Sequence, residues 1–284
     1  MDVLITGAAG TVGTAITDHL SDDTYDFTLL DVVETDGPGE SVVADVRDYE
    51  VIRPSFDEQE AIVHLALIQE DGKFSHTSRE VSWSPTLQAN LEGINNVYEA
   101  AIDAGVESIV FASSNHAVGM VEVRNSPRVY HDEGIVAGHD EPHRPDSLYG
   151  LSKSYGEDLG RLAAEAHDVR FYALRIGSVR ESQYDHPYGD AERGVEAGRW
   201  ERGSDAYEQQ VARMKGLWQS RRDLAHLVEC CLQDKTVEWG HFYGVSANER
   251  RWLDDLVHAR ETIGYEPQDN GDEWDAPPET QSEK

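Results

Sequence analysis

Tyr149 and Lys153, in the run L-Y-G-L-S-K-S-Y-G-E, are the two residues of this chain whose types and spacing best suit moving a proton. Four apart on a helix, phenol and ammonium share one face, so the positive charge can favour the phenolate and lower the tyrosine's pKa. Such a tyrosine can act as a base near neutral pH. Ser114, in F-A-S-S-N-H, adds a hydroxyl that can hold a reacting oxygen. Chance alone would give about 0.2 Tyr-x-x-x-Lys pairs in a chain of this composition, so the pair gains its force from what surrounds it.

The support comes from the N-terminus. Asp2-Val3-Leu4-Ile5-Thr6 reads as a short buried strand that runs straight into Gly7-x-x-Gly10-x-x-Gly13 and a helical pattern. Gly7 allows the tight turn, Gly10 lets backbone approach a pyrophosphate, and Gly13 lets the helix pack close to the sheet. Free N–H groups at the helix start then receive the anion, so a dinucleotide is the natural ligand. The second strand ends on Asp31, placed to accept hydrogen bonds from a ribose 2′-hydroxyl. No Arg or Lys follows in V-V-E-T-D, which favours NAD over NADP.

On these residues the chain resembles an extended short-chain dehydrogenase/reductase from residue 2 to about 270. Asp45-Val46, His64-Leu65-Ala66, Asn90, Ser114 and Tyr149-x-x-x-Lys153 each fall where that family's pattern puts them. Within the family, the stretches 111–116, 144–153 and 174–178 are similar to uronate dehydrogenases and their halophilic archaeal relatives, which include enzymes that oxidise aldoses or hexose 6-phosphates at C1. The resemblance implies a division of labour. Gly7, Gly10, Thr11, Val12, Gly13, Asp31, Asp45, Val46, Leu65 and Ala66 would hold NAD together with Tyr149 and Lys153. Ser114 would hold the substrate oxygen, Tyr149 would take its proton, and the carbon would give hydride to the nicotinamide. Lys153 would support the tyrosinate and bond the nicotinamide ribose, with Asn90 anchoring a water relay.

Ser114, Asn115, His116, Ser178 and Arg213 would contact the sugar, Arg213 being the counterpart of an arginine that grips the anion in the uronate enzymes. Asn115 and His116 could equally be structural, completing hydrogen bonds at a strand end. Substrate identity stays open between a uronate, a hexose 6-phosphate and a neutral aldose. Two segments, 121–143 and 180–212, depart from the family's pattern and should border the substrate pocket. Arg193, Arg199, Arg202, Arg213, Arg221 and Arg222 could supply guanidinium forks for an anion, or could simply balance acids such as Asp190, Glu192 and Glu196.

Strand candidates at 2–6, 27–30, 41–44, 61–66, 108–113, 170–176 and 242–245 alternate with helical patterns at 11–20, 84–104, 149–166, 221–232 and 253–263. That order predicts an α/β fold, a doubly wound parallel Rossmann-like sheet with a small C-terminal substrate region. The expected organisation is a core over 1–178 carrying the catalytic residues, a substrate-binding and core-completing region over 179–265, and an acidic, unfolded tail over 266–284. Helices 84–104 and 149–166 are the pair that resembling proteins use to form homodimers.

The formal charge is −31, of which the tail carries a net −6. So acidic a surface argues against nucleic acid and anionic lipid as partners and suits work in molar salt, where the Debye length falls to about 3 Å. No apolar run approaches the roughly 20 residues of a membrane span, and the first residues read as a strand, so a soluble cytoplasmic protein is expected. Cys230 and Cys231 are adjacent, can staple nothing distant and lack metal-ligand spacing, so no metal is expected. The same cofactor fold would also serve an NAD-retaining sugar-nucleotide epimerase or dehydratase, or a non-catalytic dinucleotide sensor. The first needs a larger C-terminal region, and the second commonly lacks the Tyr or Lys.

Overall fold

The computed structural model describes residues 1–20, 23–68, 83–131, 134–254 and 256–278. Seven strands form one parallel sheet: β1 (Asp2–Thr6), β2 (Asp26–Asp31), β3 (Glu40–Val43), β4 (Ala61–His64), β5 (Ser108–Ser114), β6 (Arg170–Ile176) and β7 (Trp239–Gly244). Their spatial order is β3-β2-β1-β4-β5-β6-β7. The chain winds outward from β1 to β3, then returns to start β4 on the other side of β1. The reversal opens a crevice beyond the carboxyl ends of β1 and β4, the place where parallel sheets of this kind take ligands.

The helices are α1 (Thr11–His19), α2 (Tyr49–Ile52), α3 (Pro85–Ala104), α4 (Met120–Asn125), α5 (Leu148–Ala166), α6 (Gly189–Glu196), α7 (Asp205–Leu217), α8 (Arg221–Gln233) and α9 (Leu256–Ile263). Strand alternation sends successive side chains into two cores. Val3, Ile5 and Val110 join a cluster under α1, α8 and α9, whereas Leu4, Ile109 and Phe111 join one under α3 and α5. Burying both faces explains why the strands read as nearly continuous apolar runs.

Each long helix has a start written in its sequence. Ser84 accepts from the Leu87 N–H with Pro85 behind it, and Ser147 accepts from Gly150 N–H. α5 lies unusually close to the sheet because Gly156 and Gly160 face Phe111 and Phe171: an added Cβ would fall 2.4 and 2.1 Å from those rings. The expected elements are present with ends moved by a few residues. The helix expected over 253–263 begins at Leu256, and residue 255 lies outside the described residues.

The segments 121–143 and 180–212 contain α4, α6 and the start of α7. Tyr188, Ala191, Tyr207 and Val211 give α6 and α7 a small core of their own. One sequence expectation needs correction: the C-terminus is not unfolded from residue 266. Asp269 accepts from Ser220 Oγ at 2.5 Å and Arg222 Nη2 at 2.6 Å, the Gln268 and Asp269 N–H groups donate to Asp223, and Trp274 stacks on His186. The segment is held by ion pairing and one tryptophan, neither of which average polarity reveals. Residues 279–284 lie outside the described residues. No helix among the described residues is long and apolar enough to cross a membrane.

Candidate active site

At the turn after β1, Gly7 takes φ +75°, and a Cβ there would meet the Ala66 nitrogen at 2.7 Å. A Cβ on Gly13 would meet the Ala8 carbonyl oxygen at 2.3 Å, so the glycine seats α1 against the turn. Gly10 precedes α1, whose first N–H groups face the crevice without a side-chain cap. The cradle fits a pyrophosphate.

The crevice divides into two compartments on either side of this turn. One, of about 390 Å³, is lined by Asp31, Asp45, Val46 and Ala66 and suits an adenosine. Asp31 is fixed there by the Ala9 and Val32 N–H groups at 2.9 and 2.7 Å, and Asp45 by a bidentate contact from Arg47. The other, of about 280 Å³, brings Thr11, Val12 and Leu65 beside Ser114, Tyr149 and Lys153. Arg221 braces the floor by donating to the Thr11 carbonyl and to Asp18 at the far end of α1.

Ser147 and Asp146 set the start of α5, and with it the height of Tyr149. Ser147 Oγ donates to Asp146 Oδ1 at 2.9 Å, while Asp146 Oδ2 pairs with His116 Nδ1 at 2.8 Å. The His116 ring stands edge-on to the Tyr149 ring at 5.4 Å. Ser114 Oγ bonds Tyr149 and accepts from the His116 N–H at 3.2 Å. Lys153 Nζ sits 5.6 Å from the centre of the Tyr149 ring and 5.0 Å from that of Phe111.

The expected electrostatics of this pair need correction. Burial pushes the Tyr149 hydroxyl above its ordinary value, against the opposing pull of the Ser114 hydrogen bond. Burial likewise brings Lys153 down to about 8. The cost of burying a phenolate outweighs what the neighbouring groups return to it here, and the ammonium is itself desolvated. Asn90 is buried on α3. Its amide is spent on Ile68 N–H, Ile68 C=O and Thr86 C=O at 2.9 to 3.0 Å, and it shapes the strand-end segment lining the crevice.

Beyond Tyr149 a third compartment of about 780 Å³ opens toward α4, α6 and α7. Ser114, Asn115, His116, Ser178 and Arg213, the residues expected to contact the sugar, all line it. Arg213 does not stand open. Its Nε donates to Glu122 Oε1 at 2.5 Å and Nη2 to Oε2 at 3.2 Å, while Tyr130 donates to the same carboxylate at 2.7 Å. Arg180 and Gln210 both donate to Asp190. Glu122, Tyr130 and Arg180 escaped the sequence reading. An acid on a short helix in so acidic a chain carries no signal, although Arg180 follows G-S-V directly. Of the other arginines, Arg193, Arg202, Arg221 and Arg222 pair with acids, and Arg199 stacks on Trp200 at the rim.

A glycine cradle at the β1–β4 crevice leading to a Tyr/Lys/Ser cluster defines a dinucleotide-dependent enzyme class. Residues 3–197 match the NAD dependent epimerase/dehydratase family, and the chain belongs to it. It is 36% identical over 283 residues to an NAD-dependent glucose-6-phosphate dehydrogenase of Haloferax volcanii, covering 96% of this chain and 95% of the relative. It is 31% identical over 275 residues to an L-arabinose 1-dehydrogenase (NAD(P)(+)) of the same organism, covering 94% and 96%. Among solved structures, glucuronic acid dehydrogenase from Chromohalobacter salexigens superposes with a TM-score of 0.72 at 32% identity, covering 96% of this chain and 86% of that one.

Proposed function

We propose that the chain oxidises the C1 hydroxyl of a sugar to the lactone, using NAD. The observation that carries the reading is the position of Tyr149 and Ser114, which line both the compartment beside the glycine turn and the larger one beyond it. A substrate hydroxyl seated there meets Ser114 and Tyr149 together, and the phenol can take its proton. When bound, NAD supplies the hydride acceptor. Lys153, buried at the same junction, is placed to lend charge to the phenolate that forms. For a pyranose the proton lost is that of the anomeric hydroxyl, so the product is a lactone that opens later with water. Dehydrogenase names of the relatives at 36% and 31% identity support the same reaction.

The surface charge and the Haloferax relatives support operation in molar salt, and exposed Leu151 and Leu162 on α5 support a homodimer across α3 and α5. The test is NADH formation in high salt on three substrate classes: uronates, hexose 6-phosphates and neutral aldoses. Stoichiometric NADH with lactone is the expected result. NAD retained through purification without net NADH would instead mark an epimerase.

A further inference from the structure

The large compartment pairs its two inner arginines with acids before any substrate arrives. Arg213 is gripped by Glu122 and Arg180 by Asp190. Glu122 reaches the cavity from α4, inside the segment that departs from the family pattern, and is 7% exposed. Tyr130 holds it from a third side. We propose that Glu122 determines substrate specificity: it spoils Arg213 as a receptor for an anion and makes the compartment accept a neutral aldose in preference to a sugar acid. The proposal rests on the C1-oxidation reading and names the substrate class of that same site.

The physical case is one of matching donors and acceptors. An acid group that approached Arg213 on its Nε/Nη2 edge would find both nitrogens already committed to Glu122. Using Nη1 instead would bring it against both Glu122 and Asp190, whose charge reaches the same guanidinium. Burial pushes the Glu122 carboxyl up, but the Arg213 charge and the bonds from Arg213 and Tyr130 hold it below the ordinary range, so it stays ionised. Two like charges in a cavity are little screened by salt, unlike charges on the surface. A sugar hydroxyl meets no such conflict: it donates to Glu122 and accepts from Arg213 Nη1. Arg199 stacks on Trp200 at the exposed rim, where molar salt screens its pull on a phosphate.

The experiment compares kcat/KM on aldose–uronate pairs that differ only at the terminal carbon, and on hexose 6-phosphates, with NAD in high salt. The wild-type enzyme is expected to favour the neutral aldose, and Glu122→Gln to shift the aldose-to-uronate ratio toward the uronate by about tenfold or more. Tyr130→Phe should shift it in the same direction by less. A loss of folded protein scales both rates alike, so the ratio reads specificity and not stability. Wild-type preference for a uronate or a hexose 6-phosphate overturns the inference without any variant. So does a ratio unmoved by Glu122→Gln. If no sugar of any class yields NADH, the C1-oxidation reading itself fails.

Discussion

The cofactor half and the substrate lobe of this molecule are held together by different physics. The sheet and the helices that cover it are layers of regular elements around apolar cores, with glycines where backbone must approach backbone or a ring. The lobe around α6 and α7 has a core of four buried side chains, tied down by Arg180–Asp190, Arg202–Glu192 and Arg213–Glu122 and by Trp274, which stacks on His186 and stands edge-on to Trp218. A fold fixed by apolar burial constrains where the cofactor sits. A lobe fixed by paired charges can change what it recognises by exchanging one partner, without disturbing the sheet.

The sharpest break of that contrast is chemical. Tyr149→Phe should lower kcat by roughly 10²–10⁴-fold while leaving the NAD dissociation constant nearly unchanged. Stopped-flow or steady-state rates beside NAD fluorescence titration check it, and a loss of NAD affinity of similar size would mean that the phenol is structural.

The cofactor half holds one buried ion pair that departs from its own rule. Arg175 and Glu157 are 2% and 0% exposed, joined by bonds of 2.9 to 3.2 Å. Breaking it by Arg175→Leu should cost about 3–5 kcal/mol, because the buried carboxylate loses its guanidinium and keeps only His143 and Ser113. Chemical denaturation in high salt measures it, and a cost below that of an exposed pair would show that water reaches the site.

A smaller effect follows in acid. Burial raises the Glu157 carboxyl, but bonds from His143, Arg175 and Ser113 outweigh it and bring the group down to about 2 from 4.5. The folded value is the lower one, so this contribution to stability is complete above about 4.5 and drains away as pH falls toward 2. Glu157→Gln should flatten that limb of the stability–pH curve. An unchanged limb would assign the acid loss to other carboxylates.

The smallest change is expected in the lobe. Trp274→Ala should cost on the order of 1 kcal/mol through its lost ring contacts. It should raise the sugar KM more than the NAD dissociation constant, and equal effects on both would mean that the lobe and the cofactor half are coupled.

The contrast also explains what could be read in advance. The alternation of strand and helix patterns and Gly7-x-x-Gly10-x-x-Gly13 are local signals, and each led to its element. The lobe's helices are polar on average, and even charged Glu192 is buried beneath Arg202 and Tyr207. Residue types were legible there, but pairings between Glu122 and Arg213 or Arg222 and Asp269 join segments far apart in the chain. Tyr149 and Lys153 were correctly brought together, whereas their charge balance depended on how deeply α5 is drawn onto the sheet by Gly156 and Gly160.

The return of the C-terminal segment has a consequence for the order in which the molecule is made. Lys215 donates to the Trp274 carbonyl, and Ser220 and Arg222 close on Asp269. A chain still being synthesised can therefore pair the sheet up to β6 before the last ties onto α7 and α8 exist. Those ties are the last part of the described fold that the growing polypeptide can fasten.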